Sequence, residues 1–286
     1  MKLTKETKIL IVGLGLIGGS YAMALSKQGY KVRAITTSQK SIDYAVENKL
    51  IEFGRIMPDP QLISDSNLII FALYPLTFLK WMQQYGHYIS KGTLITDVTG
   101  VKVSIIYEIE SLLPEGVEFI AAHPMAGREV YGVENATDEI FKNANYIVTP
   151  TEKNSSQAIE ICEQLGHVLG FASVSRLSPE EHDDIIGFLS QLTHCIAVSL
   201  MTCNDSPHLE YYTGDSFRDL TRIAKINDTM WVELFMLNKE NLIKHMEKFE
   251  TEFAKLKQAL QNDDIETIRK IMGKSTERRS RFDKQK

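Results

Sequence analysis

Short apolar runs alternate with longer amphipathic stretches over the first 176 residues, and this alternation constrains the fold more than any other feature. Each run is too short for a helix and rich in Ile, Val or Phe, which is typical of strands buried in a parallel sheet. Strands that alternate with helices predict an α/β fold with a doubly wound parallel sheet. The predicted strands are 9–12, 32–35, 68–73, 93–96, 118–122, 146–148 and 171–174.

The pattern changes after residue 176, where the predicted strands stop. Ser178, Pro179 and Glu181 provide an N-cap, a first-turn proline and a capping box, which together predict the start of a helix. Apolar residues then recur at helical spacing, with a break at residues 204–207. The rest of the chain is therefore predicted to be helical.

These patterns predict two domains, an α/β domain over residues 1–176 and an all-helical domain over residues 177–286. Within the second domain, the stretch 230–249 carries more apolar side chains than a lone helix in such a layer would bury. Excess apolar surface usually marks an interface. We therefore expect the helical domain to be a dimerisation domain and the protein to be a homodimer.

A glycine-rich turn joins the first predicted strand to the first predicted helix, with the spacing G-x-G-x-x-G. In this motif the first glycine permits the turn, the second lets a pyrophosphate approach the backbone, and the third lets helix and strand pack closely. The pyrophosphate then meets unpaired N–H groups at the start of the helix. The context predicts a Rossmann-type dinucleotide-binding domain. The residues expected to bind the cofactor are Gly13, Gly15, Leu16, Ile17 and Gly18.

The residue after the second predicted strand bears on the choice between NAD and NADP. In NAD-binding domains this position is usually acidic and bonds the ribose hydroxyls. Here it is Thr36, and the first acidic residue after it is Asp43. A 2′-phosphate would therefore meet no carboxylate, and Lys40 is close in sequence. Thr36 is compatible with either cofactor, NAD(P), and favours NADP slightly over NAD.

Composition argues against several classes of protein. The net charge of −5 disfavours a nucleic-acid partner, because a mildly acidic chain repels phosphate backbones. The apolar runs are too short to cross a bilayer, which needs about 20 residues, and the polar segment 1–8 is unlike a signal peptide. The histidines and the three cysteines lack the spacing of metal ligands. We expect a cytoplasmic protein without a metal, membrane or nucleic-acid partner.

A histidine lies at the end of the fifth predicted strand, in the sequence AAHPMAG at residues 121–127. Ligands of open α/β sheets bind outside the carboxyl ends of the strands, so His123 is a candidate catalytic residue. This motif, the glycine turn, DVTGVK at 97–102 and FRDLTRIA at 217–224 together resemble the prephenate/arogenate dehydrogenases. The resemblance extends from about residue 8 to residue 249.

The resemblance implies an NAD(P)-dependent oxidoreductase of tyrosine biosynthesis that converts prephenate to 4-hydroxyphenylpyruvate by oxidative decarboxylation. In that family, hydride leaves C4 of the substrate for nicotinamide and the ring carboxylate leaves as carbon dioxide. The matching histidine, His123, accepts the proton of the 4-hydroxyl group, a contribution of about 10²–10⁴ in rate.

The resemblance also assigns residues to the binding of a small, dianionic substrate. It implies that Arg222 grips a carboxylate with its planar guanidinium, and that Glu129 and Asp219 hold Arg222 in an ionic network. It places Ser190 and His194 in the substrate pocket. A further residue, Trp231, lines a site shared between subunits.

The sequence departs from the family pattern at Gly100, where many relatives carry a serine whose hydroxyl contacts the substrate. Either Thr99 substitutes for this serine, or the 4-hydroxyl of the substrate relies on His123 alone. Gln191 stands where some relatives have a second histidine, and Arg128 stands where many have Thr or Ser. These differences bear on substrate preference, prephenate or arogenate, rather than on the reaction class.

The glycine motif and helical domain also leave two other classes open. One is a dehydrogenase of the 3-hydroxyacid or 6-phosphogluconate type, which would use a lysine of the helical domain as its acid or base. The other is a non-catalytic dinucleotide sensor, which would need no histidine or arginine near the nicotinamide.

A regular α-helix places His182 about 120° away from His194, so we predict a structural role for His182.

Overall fold

The central element is a sheet of six parallel strands in the order β3-β2-β1-β4-β5-β6. The structure is a computed structural model that describes residues 2–283. The strands are β1 (Ile9–Val12), β2 (Val32–Ile35), β3 (Phe53–Arg55), β4 (Leu68–Phe71), β5 (Leu94–Asp97) and β6 (Glu118–Phe119). The order reverses between β1 and β4, as in a doubly wound fold, so the predicted Rossmann-type class is confirmed.

Both faces of this sheet are buried, because successive side chains of each strand point to opposite sides. In β1, Ile9 and Ile11 join one apolar cluster, whereas Leu10 and Val12 join the other. The helices of this region cover the two faces. They are α1 (Leu16–Lys27), α2 (Gln39–Glu47), α3 (Pro60–Ser64), α4 (Pro75–Tyr85), α5 (Val103–Ser111) and α6 (Ser156–Leu169).

A second sheet of three strands follows, and the sequence did not predict it as a separate sheet. It consists of β7 (Ala121–Pro124), β8 (Asn145–Thr149) and β9 (Ser173–Arg176). β7 and β8 are antiparallel, whereas β8 and β9 are parallel. The predicted strand 118–122 is therefore wrong as one element, because the chain leaves the first sheet after Phe119 and enters the second at Ala121. His123 lies inside β7 and pairs with Ile147.

The sequence prediction also missed β3, whose three residues are Phe53, Gly54 and Arg55. The strand lies at the edge of the sheet and is largely exposed, so it lacks the apolar run that marks the buried strands. Ala34 lies beside Gly54 in the neighbouring strand, and the glycine leaves room there for Ile42 of α2. The pattern of side chains was therefore uninformative at this position.

After Arg176 the chain forms helices. They are α7 (Pro179–Ile186), a π-helical segment (Gly187–Leu192), α8 (Thr193–Thr202), α9 (Asp215–Thr221), a 3-10 turn (Arg222–Ala224) and α10 (Asp228–Leu237). The predicted capping box is confirmed, since Ser178 Oγ accepts the Glu181 N–H at 3.1 Å and Glu181 Oε2 accepts the Ser178 N–H at 2.9 Å. The boundary between residues 176 and 177 thus coincides with a change in secondary structure, and its role as a domain boundary stays a prediction.

The chain divides into two compact units, Met1–Asn238 and Lys239–Lys286. The second unit consists of two helices, α11 (Lys239–Gln261) and α12 (Ile265–Ser280), which pack against each other. Asp264 caps α12 by accepting the Thr267 N–H at 3.0 Å. The apolar stretch 230–249 is therefore divided between two helices, since α10 ends at Leu237 and α11 begins at Lys239.

One continuous helical stretch, Pro179–Thr202, is long and apolar enough to cross a membrane by length and composition alone. The sequence has no uninterrupted apolar run of this length, and the expectation that the protein has no membrane partner stays a prediction. The sequence reading considered only uninterrupted apolar runs, whereas this helix interleaves apolar residues with Ser, Gln, Thr and His. About 28% of the most apolar 18-residue segment of this helix is buried. The first turns of the helix carry several acidic residues.

Two glycines of the first turn provide a matched test of the packing. A Cβ atom at Gly18 would lie 1.9 Å from the carbonyl oxygen of Gly13, whereas a Cβ at Gly15 would meet no atom within 4 Å. We expect Gly18→Ala to lower the free energy of unfolding by about 1–3 kcal/mol or more. Gly15→Ala should change it by less than about 0.5 kcal/mol, yet weaken dinucleotide binding because the pyrophosphate approaches there.

Urea unfolding and a dinucleotide titration measure the two effects separately. Equal losses of stability in Gly18→Ala and Gly15→Ala would contradict the packing argument. Unchanged dinucleotide affinity in Gly15→Ala would contradict the proposed approach of the pyrophosphate.

Candidate active site

The start of α1 fits a dinucleotide phosphate. Gly13 adopts a positive φ of 102° and donates its N–H to the carbonyl of Ile35 at 2.8 Å, which closes the turn beside β2. Gly15 is the N-cap and supplies no side-chain hydrogen bond, and the first turn, which includes Leu16 and Ile17, has no acidic residue. The first N–H groups of this 12-residue helix are thus left for an anion.

Thr36 follows β2 at the same edge of the sheet and is half-buried. Its N–H donates to the carbonyl of Arg55 at 3.0 Å, which brings the end of β3 next to it. Ser38 caps α2, and its first turn carries no acidic residue. The region that would face an adenosine ribose therefore has hydroxyl side chains at Thr36 and Ser38 and no acidic residue in the first turn of α2.

His123 belongs to a chain of three hydrogen-bonded side chains. Its Nδ1 lies 2.9 Å from Nε2 of His182, and Nδ1 of His182 lies 2.8 Å from Oδ1 of Asp183. Asp183 also accepts the backbone N–H groups of Lys102 at 2.8 Å and Val103 at 2.9 Å, so it caps α5. His182 and Asp183 are both buried.

A fully buried ion pair holds the backbone next to His123. Nζ of Lys102 lies 2.8 Å from Oδ2 of Asp97, and both side chains are at most 1% exposed. Oδ1 of Asp97 accepts the N–H of Ala122 at 3.0 Å, while Lys102 donates to the carbonyl of Ala122 at 2.6 Å. Both backbone groups of the residue before His123 are therefore bound by this pair.

The surroundings keep His123 neutral. Burial is the largest cause and holds the pKa of His123 well below its usual 6.5, and the nearby His182 and Lys102 lower it further. The pKa of His182 is also lowered, mainly by burial, although the hydrogen bond to Asp183 opposes this shift. A neutral imidazole is the form that can accept a proton.

Gly100 leaves a space beside the other nitrogen of His123. A Cβ atom built at Gly100 would lie 3.8 Å from Nε2 of His123 and 3.5 Å from the side chain of Leu234. Thr99 does not fill this space, because its hydroxyl donates to Asp97 and lies 3.3 Å from Nζ of Lys102. The expectation that Thr99 replaces the missing serine hydroxyl is therefore wrong.

Arg222 lies in the 3-10 turn after α9 and forms an ion pair with Glu129, through Nη1 and Oε1. The two side chains are 63% and 37% exposed, so the guanidinium is accessible to a ligand. Asp219 forms no ion pair with Arg222 within residues 2–283, contrary to the expected network of three. The neighbouring pair is instead Arg218 and Asp215, at 2.6 Å.

His194 stacks on Trp231, with 3.7 Å between the ring centroids and an interplanar angle of 31°. Its Nδ1 donates to the carbonyl of Ser190 at 2.9 Å, which leaves Nε2 free to bind another group. Burial lowers the pKa of His194, and the charges of Glu129 and Arg222 also act on it. The structure thus brings His194, Trp231, Ser190 and the Arg222–Glu129 pair into one neighbourhood.

Sequence reasoning missed the position of His182, because it assumed a regular helix. A regular helix turns about 100° per residue, whereas a π-helix, with its i→i+5 hydrogen bonds, turns less per residue. Since the segment Gly187–Leu192 is in the π form, the angle of about 120° between His182 and His194 does not apply, and His182 instead contacts His123. The signal that could have indicated this is weak, since no residue pattern in the sequence marks a π segment.

Gln191 was noted only as a departure from the family, and its role is structural in this chain. Its Nε2 donates to the carbonyl of Leu234 at 3.0 Å. Its Oε1 accepts from Asn238 at 2.9 Å, and Asn238 also donates to the carbonyl of Asp183 at 2.8 Å. These bonds join the π-helical segment to α10.

Within the residues that the structure describes, no cluster of three His, Cys, Asp or Glu side chains could hold a metal ion.

Comparison with protein families gives two matches that together span most of the chain. Residues 21–172 match the family described as prephenate dehydrogenase, nucleotide-binding domain. Residues 178–274 match prephenate dehydrogenase, dimerization domain. The chain belongs to the prephenate dehydrogenase family. The first match contains His123 and the second contains His182, His194 and Arg222.

Individual relatives agree with this family. A prephenate dehydrogenase of Bacillus subtilis is 31% identical over 278 residues, which cover 94% of this chain and 74% of the relative. A crystal structure of prephenate dehydrogenase from Aquifex aeolicus in complex with hydroxyphenyl propionate and NAD+ has a TM-score of 0.89 and 29% identity. It covers 99% of this chain and 100% of that chain.

The fold is also shared with Synechocystis arogenate dehydrogenase, at a TM-score of 0.82 and 23% identity, covering 97% of this chain and 100% of that chain. At this identity the likeness concerns the fold alone. The family match and the His123 site argue against the 3-hydroxyacid, 6-phosphogluconate and sensor alternatives.

The buried imidazoles of His123 and His182 predict how stability depends on pH. Their pKa values are lowered in the folded state, so the unfolded chain binds protons first as the pH falls. The stabilisation is fully present above about pH 6.5 and decreases below it, by up to about 1.4 kcal/mol per pH unit for each imidazole that stays neutral.

Urea unfolding at pH 7.5, 6.5 and 5.5 would measure this slope. The variant His182→Gln removes one of the two imidazoles and should therefore show a smaller loss of stability between pH 6.5 and 5.5. Equal slopes in the variant and the natural chain would contradict the proposed titration of His182.

Proposed function

We propose that this protein is a prephenate dehydrogenase that oxidatively decarboxylates prephenate to 4-hydroxyphenylpyruvate, with NAD(P) as cofactor, in tyrosine biosynthesis. The observation that carries the proposal is the arrangement of His123. Its imidazole is neutral and bonded through Nδ1 to His182, while Nε2 faces the space at Gly100. Membership of the family supplies the reaction class.

His123 is proposed to accept the proton of the substrate's 4-hydroxyl group at Nε2. The glycine turn would hold the dinucleotide, whose nicotinamide would supply the hydride acceptor for C4 of the substrate as its C4–O bond gains carbonyl character. Loss of the ring carboxylate as carbon dioxide makes the ring aromatic. Because Gly100 has no side chain, the hydroxyl can approach Nε2 without the serine that many relatives carry, and the side chain of Leu234 lines this space.

Arg222 is proposed to bind a carboxylate of the substrate. Only Nη1 is used in the ion pair with Glu129, so the other guanidinium nitrogens are available for two hydrogen bonds to a carboxylate. His194, Ser190 and Trp231 are proposed to line the same pocket, with Nε2 of the neutral His194 as an acceptor, since its Nδ1 donates to Ser190. Asp219 can contribute through its negative charge only, since the structure shows no bond from it to Arg222.

The glycine turn with Leu16 and Ile17 is proposed to hold the pyrophosphate, and Thr36 to face the adenosine ribose. We propose NADP as the preferred cofactor over NAD. The proposal is supported by the absence of a carboxylate immediately after β2 and by Lys40 near the start of α2. Arg55, whose carbonyl binds the N–H of Thr36, pairs its guanidinium with Asp59 at 3.3 Å, so it adds no net positive charge to this support.

We also propose that the functional protein is a cytoplasmic homodimer with a domain boundary at residues 176 and 177. The matched description of residues 178–274 as a dimerization domain supports the dimer. The exposed apolar side chains of the helix Pro179–Thr202, such as Phe188, Leu189 and Met201, supply a surface that a second copy would cover.

Turnover assays with prephenate and arogenate, each with NAD and NADP, test the function directly. We expect reduction of the cofactor with prephenate. Activity with arogenate alone would replace prephenate by arogenate as the substrate, and no activity with either would contradict the proposal.

The role of His123 is tested by His123→Asn, which keeps a hydrogen-bonding side chain but removes the base. We expect kcat to fall by about 10²–10⁴ because no group accepts the hydroxyl proton. Dinucleotide affinity should not change, since the glycine turn is untouched. His167→Asn, on the exposed face of α6, is the matched control and should keep its activity. A His123→Asn variant with half the natural rate would contradict the assignment.

Cofactor choice is tested by Thr36→Asp, with Thr36→Ser as the matched control. A carboxylate at this position can bond ribose hydroxyls and repels a 2′-phosphate. We expect the ratio of kcat/KM for NAD to that for NADP to rise by about tenfold or more. The serine variant keeps the hydroxyl and should leave the ratio unchanged. An unchanged ratio in Thr36→Asp would show that this residue does not face the ribose.

A further inference from the structure

We propose that His182 is a positioning residue of the reaction, which acts with Asp183 to hold His123 in the tautomer that has its proton on Nδ1 and a free lone pair on Nε2. The inference deepens the proposed function, since the lone pair is the one assigned to the substrate's hydroxyl proton. The hydrogen bonds that select this tautomer nevertheless all lie within the protein.

Asp183 determines which group donates in each of these hydrogen bonds. Its carboxylate accepts two backbone N–H groups, from Lys102 and Val103, at 2.8 and 2.9 Å. These donors cannot act as acceptors, so both carboxylate oxygens must be acceptors. Nδ1 of His182, which lies 2.8 Å from Oδ1, must therefore carry a proton and donate it.

His182 is neutral, because its side chain has no exposed surface and burial lowers its pKa. A neutral imidazole has one donor and one acceptor nitrogen. Because Nδ1 donates to Asp183, Nε2 is the acceptor. The contact of 2.9 Å with Nδ1 of His123 then requires that His123 donates. Its proton is on Nδ1, and Nε2 holds the lone pair on the side of Gly100.

Without this contact, nothing in the described part of the chain would select between the two tautomers of neutral His123. The other tautomer has its proton on Nε2 and cannot accept a proton there. A histidine whose partner selects the wrong tautomer can lose about 10⁴ in kcat even when the geometry is kept, as in the serine protease triad. His182 thus acts on the reaction through His123.

The same bonds also stabilise the product of proton transfer. When His123 accepts a proton at Nε2 it becomes a cation, and its Nδ1–H still donates to His182. The negative charge of Asp183 lies next along the chain of hydrogen bonds. Asp183 also caps α5, and Lys102, the residue before that helix, holds the carbonyl of Ala122. The backbone and the ring of His123 are therefore fixed by one connected set of residues.

Two substitutions at residue 182 separate positioning from packing. His182→Gln retains an oxygen that can accept from Nδ1 of His123, whereas His182→Met has similar bulk and a sulfur that accepts only weakly. We expect kcat to fall by about 10²-fold or more in His182→Met, and by less than about tenfold in His182→Gln. KM for the substrate and the dinucleotide affinity should stay within about threefold in both variants, because the residues proposed to bind the substrate and the dinucleotide are unchanged.

The tautomer itself can be observed by ¹⁵N–¹H correlation spectra of the imidazoles, with His123→Asn to assign the signal of His123. We expect a proton on Nδ1 of His123 in the natural chain and in His182→Gln, and a mixed or reversed tautomer in His182→Met. The measurement on the natural chain needs no substitution at residue 182, so it tests the inference even if His182→Met fails to fold.

Two outcomes would overturn the inference. One is a proton on Nε2 of His123 in the natural chain at neutral pH. The other is a folded His182→Met variant that keeps both the tautomer and a kcat within threefold of the natural value. Failure of the proposed function is distinguishable, since it would appear as absent turnover of prephenate while the tautomer stays as expected.

Discussion

The buried ion pair of Asp97 and Lys102 is the interaction on which the site depends. Burying two charges costs several kcal/mol each, and this cost is recovered only where further hydrogen bonds satisfy both groups. Here Asp97 accepts from Ala122 and Thr99, and Lys102 donates to the carbonyl of Ala122. Loss of one partner would leave an uncompensated buried charge, which typically costs about 3–5 kcal/mol.

This pair lies where the chain passes from one sheet to the other. Asp97 ends β5 of the parallel sheet, whereas Ala122 belongs to β7 of the second sheet. The two charged side chains therefore do what backbone pairing does elsewhere, and they join the two sheets next to His123. Because they bind both backbone groups of Ala122, they also hold the backbone of the next residue, His123, in one position. Lysine at this place has an electrostatic effect as well, since its charge disfavours protonation of His123.

Much of the fold could be predicted from the sequence, because buried parallel strands and capped helices leave local patterns. The glycine turn, the capping box at Ser178 and the Rossmann-type sheet are of this kind. The division of strand 118–122 could not be predicted, since Ile120 continues the apolar run across the change of sheet. Arg222 and Glu129, 93 residues apart, were associated only through the family resemblance.

His182 shows the same limit at the level of one helix. Its neighbours in sequence indicate a capped helix start, and regular helical spacing directs it away from His194. The π-helical segment changes that direction, and it is stabilised by tertiary bonds from Gln191 to Leu234 and Asn238. Such bonds depend on residues more than 40 positions away. Regular helical spacing therefore could not indicate that His182 contacts His123.

The π-helical segment also limits which changes in length the gene can tolerate. Loss or gain of one residue anywhere between His182 and His194 would rotate one histidine relative to the other by most of a right angle, even with every remaining residue conserved. Substitutions on the exposed side of this helix leave that relation intact. Insertions and deletions should therefore accumulate in the loops, such as residues 204–207, and be eliminated by selection from this helix.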